Sequence, residues 1–288
     1  MKSVSPGQTP NELHRFTGTP SHPLLWAVRC SGEVFHVTAT GKITESSLPK
    51  GWHAEEVTVA AQGRTWVMAR NECHARWGVW LRVAGGASWK LVIELEQHAA
   101  IAAARSGVWV LAGHRLDLIG DDGRILQSNG LEFDAVGVCE GPDESLWLLG
   151  GLARLGGKPI RRRGAGATCW HEMPEPIAAT QIACAPDGCA WTVNSRGDLW
   201  RLHPDGPGHF AECRQSANCR NCLKSPRAGM VIRVCVGTDG QVWCLTPKTV
   251  PGGYCIARLA PGSRRMTELP GQVGAISIAA ATGWPDGE

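Results

Sequence analysis

The densest group of reactive side chains lies in "HFAECRQSANCRNC", residues 209–222, which sets His209, Cys213, Cys219 and Cys222 at the spacing H-x3-C-x5-C-x2-C. Three thiolates and one imidazole are the donor set of a closed tetrahedral zinc site, structural rather than catalytic because no coordination position stays open. The segment is rich in Arg, Asn, Ser and Gln and has little apolar surface of its own, so a metal staple would supply its folding energy. Structural zinc commonly uses two C-x2-C pairs, and only Cys219/Cys222 has that form here. The same thiols also fit a local disulfide in an oxidising compartment, or unligated thiols in a reducing one. On sequence alone the three readings stay open.

A second group is scattered. It comprises His53, Glu55 and Glu56 in "GWHAEEV", Gln97 and His98 in "EQHAA", Glu132 and Asp134 in "LEFDA", Thr180 and Gln181 in "ATQIA", and Arg233 in "VIRV". These residues become a site only if the fold brings their segments to a common axis. In that case His53, Glu55, His98 and Asp134 would offer an open metal site able to activate water. The chain has no G-x-S-x-G elbow, no P-loop and no G-x-G-x-x-G between a strand and a helix, so acyl-enzyme and nucleotide chemistry have no support.

The elements that must converge these segments are repeated. "APDGCAWTVNSRGDLWRL" (185–202) is two short apolar runs, each after a tight-turn signal, the pattern of a β-hairpin. Its tryptophan strand recurs around Trp26, Trp66, Trp109, Trp147, Trp191 and Trp243, at intervals of 38–52 residues. A second strand follows each: "GEVFHV" (32–37), "GVWLRV" (78–83), "HRLDLI" (114–119), "GLARL" (151–155), "GDLWRL" (197–202) and "GYCIARL" (253–259). A third apolar run precedes each tryptophan strand from the second copy onward, and an unpaired run, "AISIAAA", closes the series at 275–281. Almost no segment shows helical periodicity over a useful window. Repeats of this length built from short strands are propeller blades. A single blade is apolar on both faces, so neighbours must cover it, and the repeated tryptophan is a flat residue suited to that seam. The first copy lacks its leading strand and the last lacks the rest of its blade. The two therefore predict one blade, which closes a ring of six.

At Gln181–Leu202, "QIACAPDGCAWTVNSRGDLWRL", the chain resembles the tectonin repeat, in which an apolar strand is followed by DG-x-[VA]-W-x-V-N and then G-x-[IL]-[YW]-R. Trp191, Val193, Asn194, Gly197, Trp200 and Arg201 match it, and "VIRVCVGTDGQVWCL" (231–245) matches its first half. The other four copies keep little beyond Trp and Gly. The hairpins are also similar to those of NHL-type propellers. The resemblance implies a six- or seven-bladed propeller, and tectonin-like proteins are mostly binding modules for glycans or other proteins.

Composition narrows the partners. Of 288 residues 43% are hydrophobic, with 13 Trp, 36 Gly and 18 Pro, the make-up of a turn-rich chain with a core. A net charge of +3 gives no case for nucleic acid. No apolar run reaches membrane-spanning length. Residues 1–20 are expected to form a mobile tail without an export signal, and the 12 cysteines are then expected to be reduced in the cytoplasm. Cys139, Cys184 and Cys235 fall where other copies carry alanine, so they are expected to be small buried hydrophobes. A basic residue recurs near the end of the second strand (His36, Arg82, Arg154, Arg201, Arg258, with Leu118 in the third copy). Its stem is expected to pack on a neighbour with the head in water, or the heads to form a ring of donors for a partner. "RRRG" (161–164) is expected to be a solvated loop.

The expectation is an all-β, six-bladed propeller over residues 21–288, with a Cys-rich insertion at about 207–228. Its expected role is a non-catalytic scaffold recognising a protein partner or a glycan through loops on one face. The alternative is a metal-dependent, lactonase-like hydrolase or lyase at the channel mouth.

Overall fold

A computed structural model of the chain describes residues 23–38, 40–60, 63–173, 178–202, 230–260 and 265–280. The short apolar runs form strands and the intervening Gly, Asp and Asn residues form their turns. In chain order, β1 (Pro23–Val28), β2 (Val34–Thr38) and β3 (Ile43–Glu45) begin the first blade. The second blade is β4 (Trp52–Val59), β5 (Thr65–Asn71), β6 (Trp77–Arg82) and β7 (Lys90–Leu95). The third is β8 (Ala100–Ala103), β9 (Val108–Ala112), β10 (Arg115–Ile119) and β11 (Ile125–Gly130). The fourth is β12 (Ala135–Glu140), β13 (Leu146–Gly150), β14 (Lys158–Arg163) and β15 (His171–Glu172), with β16 (Ala178–Ala179) also on β14. The fifth is β17 (Gln181–Cys184), β18 (Ala190–Val193) and β19 (Leu199–Leu202). The sixth is β20 (Arg233–Val236), β21 (Val242–Val250), β22 (Gly253–Leu259) and β23 (Met266–Glu268), with β24 (Gly274–Ala275) on β22. All pairings are antiparallel.

The last strand, β25 (Ser277–Ala280), pairs with β1 in the register Leu25↔Ala280, Trp26↔Ala279, Ala27↔Ile278 and Val28↔Ser277. It supplies the inner strand of the first blade and closes the ring. The protein is a six-bladed β-propeller. No helix among the described residues is long and apolar enough to cross a membrane.

The six repeated tryptophans occupy one equivalent position. Each lies on the second strand of its blade, opposite a small residue of the inner strand. The pairs are Trp26↔Ala279, Trp66↔Thr58, Trp109↔Ala102, Trp147↔Cys139, Trp191↔Ala183 and Trp243↔Cys235. The inner strands crowd around the axis, so the residue facing an indole there has to be small. All six tryptophans are buried. Each packs into one of six hydrophobic clusters, and each cluster joins a blade to the next. In the hairpin 185–202 the two indoles serve different seams: Trp191 packs toward the sixth blade and Trp200 toward the fourth.

The residues preceding β1 and the segment 203–229 lie outside the described residues. The expected tail, the Cys-rich insertion and the zinc set His209, Cys213, Cys219 and Cys222 therefore have no structural account.

Candidate functional site

Six inner strands surround a narrow central channel with a volume of about 110 Å³. Each inner strand presents an edge to the axis, and its free N–H groups need partners. Side chains of adjacent blades supply some of them. Val57 N–H donates to Ser277 Oγ (3.3 Å), Ile101 N–H to Glu56 Oε2 (3.3 Å), and Ala103 N–H to Thr58 Oγ1 (2.8 Å). Glu56 also reaches Arg233 on the sixth blade, at 3.6 Å, over the first blade's inner strand. Together with Gln181 and Glu140 these residues form the polar part of the channel lining.

At the opposite end, Glu140 accepts from the Trp109 indole N–H and from Arg105 N–H (3.3 Å). Burial pushes its carboxyl above the usual range, against the pull of these two donors. A carboxyl raised in the fold stabilises it while protonated, and that stability is lost as pH rises through the folded value. Glu140→Gln keeps an acceptor for Trp109 without the buried charge. It is expected to leave stability unchanged or raise it by about 1 kcal/mol at pH 8, and to gain less at pH 4. Urea unfolding of both proteins at the two pH values checks this.

Of the sequence-derived candidates, only Glu56, Gln181 and Arg233 come together at the axis. Gln181 and Arg233 line the channel. A β-bulge between Ala54 and Glu56 turns Glu56 toward the axis, while Glu55 pairs with Arg70 at 3.8 Å. His53 packs on Gly32 of the first blade and lies 3.8 Å from Glu72. His98 is exposed and meets the Trp77 ring edge-on at 4.8 Å. Asp134 pairs with His114 at 2.9 Å, and Glu132 is exposed. The set His53, Glu55, His98 and Asp134 is thus spread over several blades. Among the described residues no three His, Cys, Asp or Glu side chains are placed to hold a metal.

The recurrent basic residues split into two kinds. Opposite the tryptophan, the third strands carry His36, Leu81, Leu118, Arg162, Arg201 and Arg258. In the fourth blade the position therefore belongs to Arg162, not Arg154, and "RRRG" supplies strand residues of β14 rather than a loop. Arg162 lies 5.3 Å above the Trp147 ring and pairs with Asp143 at 2.9 Å. Arg201 pairs with Asp187. Burial alone would raise both aspartates. Turn N–H groups (Ser145, whose hydroxyl also donates, and Cys189) and the arginines outweigh it and hold both below the usual carboxylate range. These guanidinium groups are spent within their own blades. Arg82 extends across a seam instead, 5.1 Å above Trp26 of the first blade.

Among the described residues the most exposed large apolar side chains lie elsewhere, in "GLARLGG" (151–157), the loop joining β13 to β14. Leu152 and Leu155 are 88% and 86% exposed. The loop is nevertheless tied down. Arg154 and Gly157 exchange backbone hydrogen bonds at 2.7 and 3.1 Å, Lys158 Nζ donates to Gly151 O at 2.9 Å, and Arg154 pairs with Glu172 at 2.6 Å. Gly157 has φ +138°, and a Cβ there would sit 2.2 Å from Ala179 O, so only glycine lets the loop close. Ser195 N–H then donates to Gly156 O (2.8 Å), and Val231 N–H to Gly197 O (2.9 Å). Three loops of successive blades are thereby joined into one ridge on one face, with Met230 (55% exposed) at its far end. Sequence reading missed this ridge because it placed a strand at 151–155. The glycine doublets on either side were the signal of a loop.

The molecule is thus a closed ring with a narrow axial channel, partly lined by side chains that bridge neighbouring blades, and a loop ridge on one face. Solved structures agree on the fold. TolB from Acinetobacter baumannii is similar at a TM-score of 0.63 and 11% identity, covering 92% of this chain and 68% of its own. A protein of unknown function from Bacteroides caccae is similar at 0.57 and 9%, covering 88% and 97%. A gluconolactonase from Xanthomonas campestris is similar at 0.52 and 11%, covering 91% and 90%. At these identities the likeness is one of fold alone. No protein-family model and no curated protein matches the chain.

Proposed function

We propose that the protein is a non-catalytic scaffold that binds a protein partner through the ridge formed by loops 151–157, 194–198 and 230–232. The observation that carries this reading is the pair Leu152 and Leu155, held almost fully in water on a loop fixed by hydrogen bonds and an ion pair. Exposed apolar side chains on a preordered support bind without an ordering cost, the property of interface anchors. Their chemistry favours a protein over a glycan. Aliphatic knobs fit an apolar pocket, whereas sugars call for aromatic faces and planar polar groups. The Arg201–Asp187 clamp of the fifth blade lies within the tectonin-like copy and supports that kinship, as a structural part rather than as a ligand site.

A photo-crosslinking residue at Ala153 tests the reading in a lysate of the source cells. It is expected to capture one discrete partner that the same probe at Arg124, on a turn between outer strands, does not. Equal capture at both positions, or none at Ala153, would refute it.

A further inference from the structure

The ring's own symmetry isolates one seam from the other five. Where each blade meets the next, the inner-strand residue opposite the tryptophan faces the residue just after the equivalent position of the following blade. The hydrogen bond from Ala103 N–H to Thr58 follows this rule, as does the contact of Cys235 with the backbone of Ala280. The registers give the remaining pairs as Ala279/Val59, Ala102/Glu140 and Ala183/Val236. Only the seam between the fourth and fifth blades brings together two thiols, Cys139 and Cys184.

Their sulfurs are 2.7 Å apart, inside the usual non-bonded separation of about 3.5–4.0 Å even for carbon atoms, and both cysteines are unpaired thiols. They are 8% and 6% exposed, and both line the central channel, which admits molecules the size of water. Cys235 occupies the register of Cys139 in the sixth blade but meets an alanine across its seam. Its neighbour Cys244 packs into the opposite seam.

We propose that Cys139 and Cys184 are an oxidative modification site, forming a reversible disulfide that staples the fourth blade to the fifth when hydrogen peroxide enters the channel. One sulfur attacks the O–O bond of peroxide, giving a sulfenic acid and releasing water. The second sulfur then attacks the first and expels a second water. Two thiols and one peroxide give one disulfide and two waters; sulfur is oxidised and the peroxide oxygens are reduced. A dithiol reductant reverses the bond. Burial pushes the Cys184 thiol well up, which lowers its thiolate fraction and makes its reaction with peroxide slow, while the enclosing blades keep bulky electrophiles out. The same blades carry the ridge, so the bond would stiffen its base; the thiol chemistry is independent of what the ridge binds.

The test treats the folded full-length protein with hydrogen peroxide, removes the peroxide with catalase, alkylates the unfolded chain and maps its peptides without reduction. The expected result is a linked Cys139–Cys184 peptide that dithiothreitol separates, with Cys235 outside any bridge to either. The thermal midpoint should rise by roughly 5–10 °C. Alanine already fills both positions in other seams, so Cys139→Ala/Cys184→Ala is expected to fold and to show no such rise. Cys139 and Cys184 recovered as separate alkylated or sulfinic residues, once exposed Cys30 and Cys73 have reacted, would overturn the proposal. So would a bridge from either to Cys235.

Discussion

Removing the chain from Ser277 onward is expected to abolish cooperative folding. The strand lost is the inner strand of the first blade, although it lies some 250 residues from its partner in sequence. Without it β1 loses four paired positions, Val57 N–H loses Ser277 Oγ, and two hydrophobic clusters lose Ile278, Ala279 and Ala280. An edge strand and two apolar blade faces then meet water, the condition for aggregation. A domain holds about 5–15 kcal/mol of stability. Truncating one buried isoleucine costs about 2–5 kcal/mol, so loss of a whole core strand exceeds what the ring can absorb. Ile278→Asp is the graded version, expected to lower stability by at least about 3 kcal/mol. Thermal circular dichroism and size-exclusion chromatography check both. A truncated chain that melts in one transition within a few degrees of the parent would show that the closure is dispensable.

Leu152→Asp/Leu155→Asp is expected to act in the opposite way, sparing the fold and removing binding. Both side chains are almost fully solvated, so the free protein's stability should change by no more than about 0.5 kcal/mol. An anchor truncation costs a complex about 2 kcal/mol or more, a factor of roughly 30, and two anchors in one pocket bring the loss to about 10²–10³-fold. Ile125→Asp/Leu126→Asp, at exposed apolar positions on the outer strand β11, is the matched control and should bind as the parent does. Titration calorimetry with the crosslinked partner, once purified, separates the two variants. Equal affinities would remove the leucines from the interface.

Much of the fold was legible in the sequence because it is written six times. The tryptophan, the small residue opposite it and the turn aspartates and glycines are each dictated by a position that recurs around the axis. The closure followed from the two incomplete copies. What stayed hidden depends on single-residue departures from the repeat. Glu55 and Glu56 are indistinguishable in sequence, yet one bulge sends Glu56 to the axis and Glu55 to Arg70. "GLARL" has the apolar content of a strand, but the glycines beside it make a loop and shift the strand to "KPIRRR". Cys139 and Cys184 were legible as small buried residues. Their meeting was not, because it follows from the rotation of one blade against the next and not from the order of residues.

The most direct measurement of the central claim is hydrogen exchange of the protein with and without its crosslinked partner. Slowed exchange confined to loops 151–157 and 194–198 and to residues 230–232 is the predicted result. Protection at the channel-lining strands or at the turns of the opposite face, with the ridge unchanged, would contradict it.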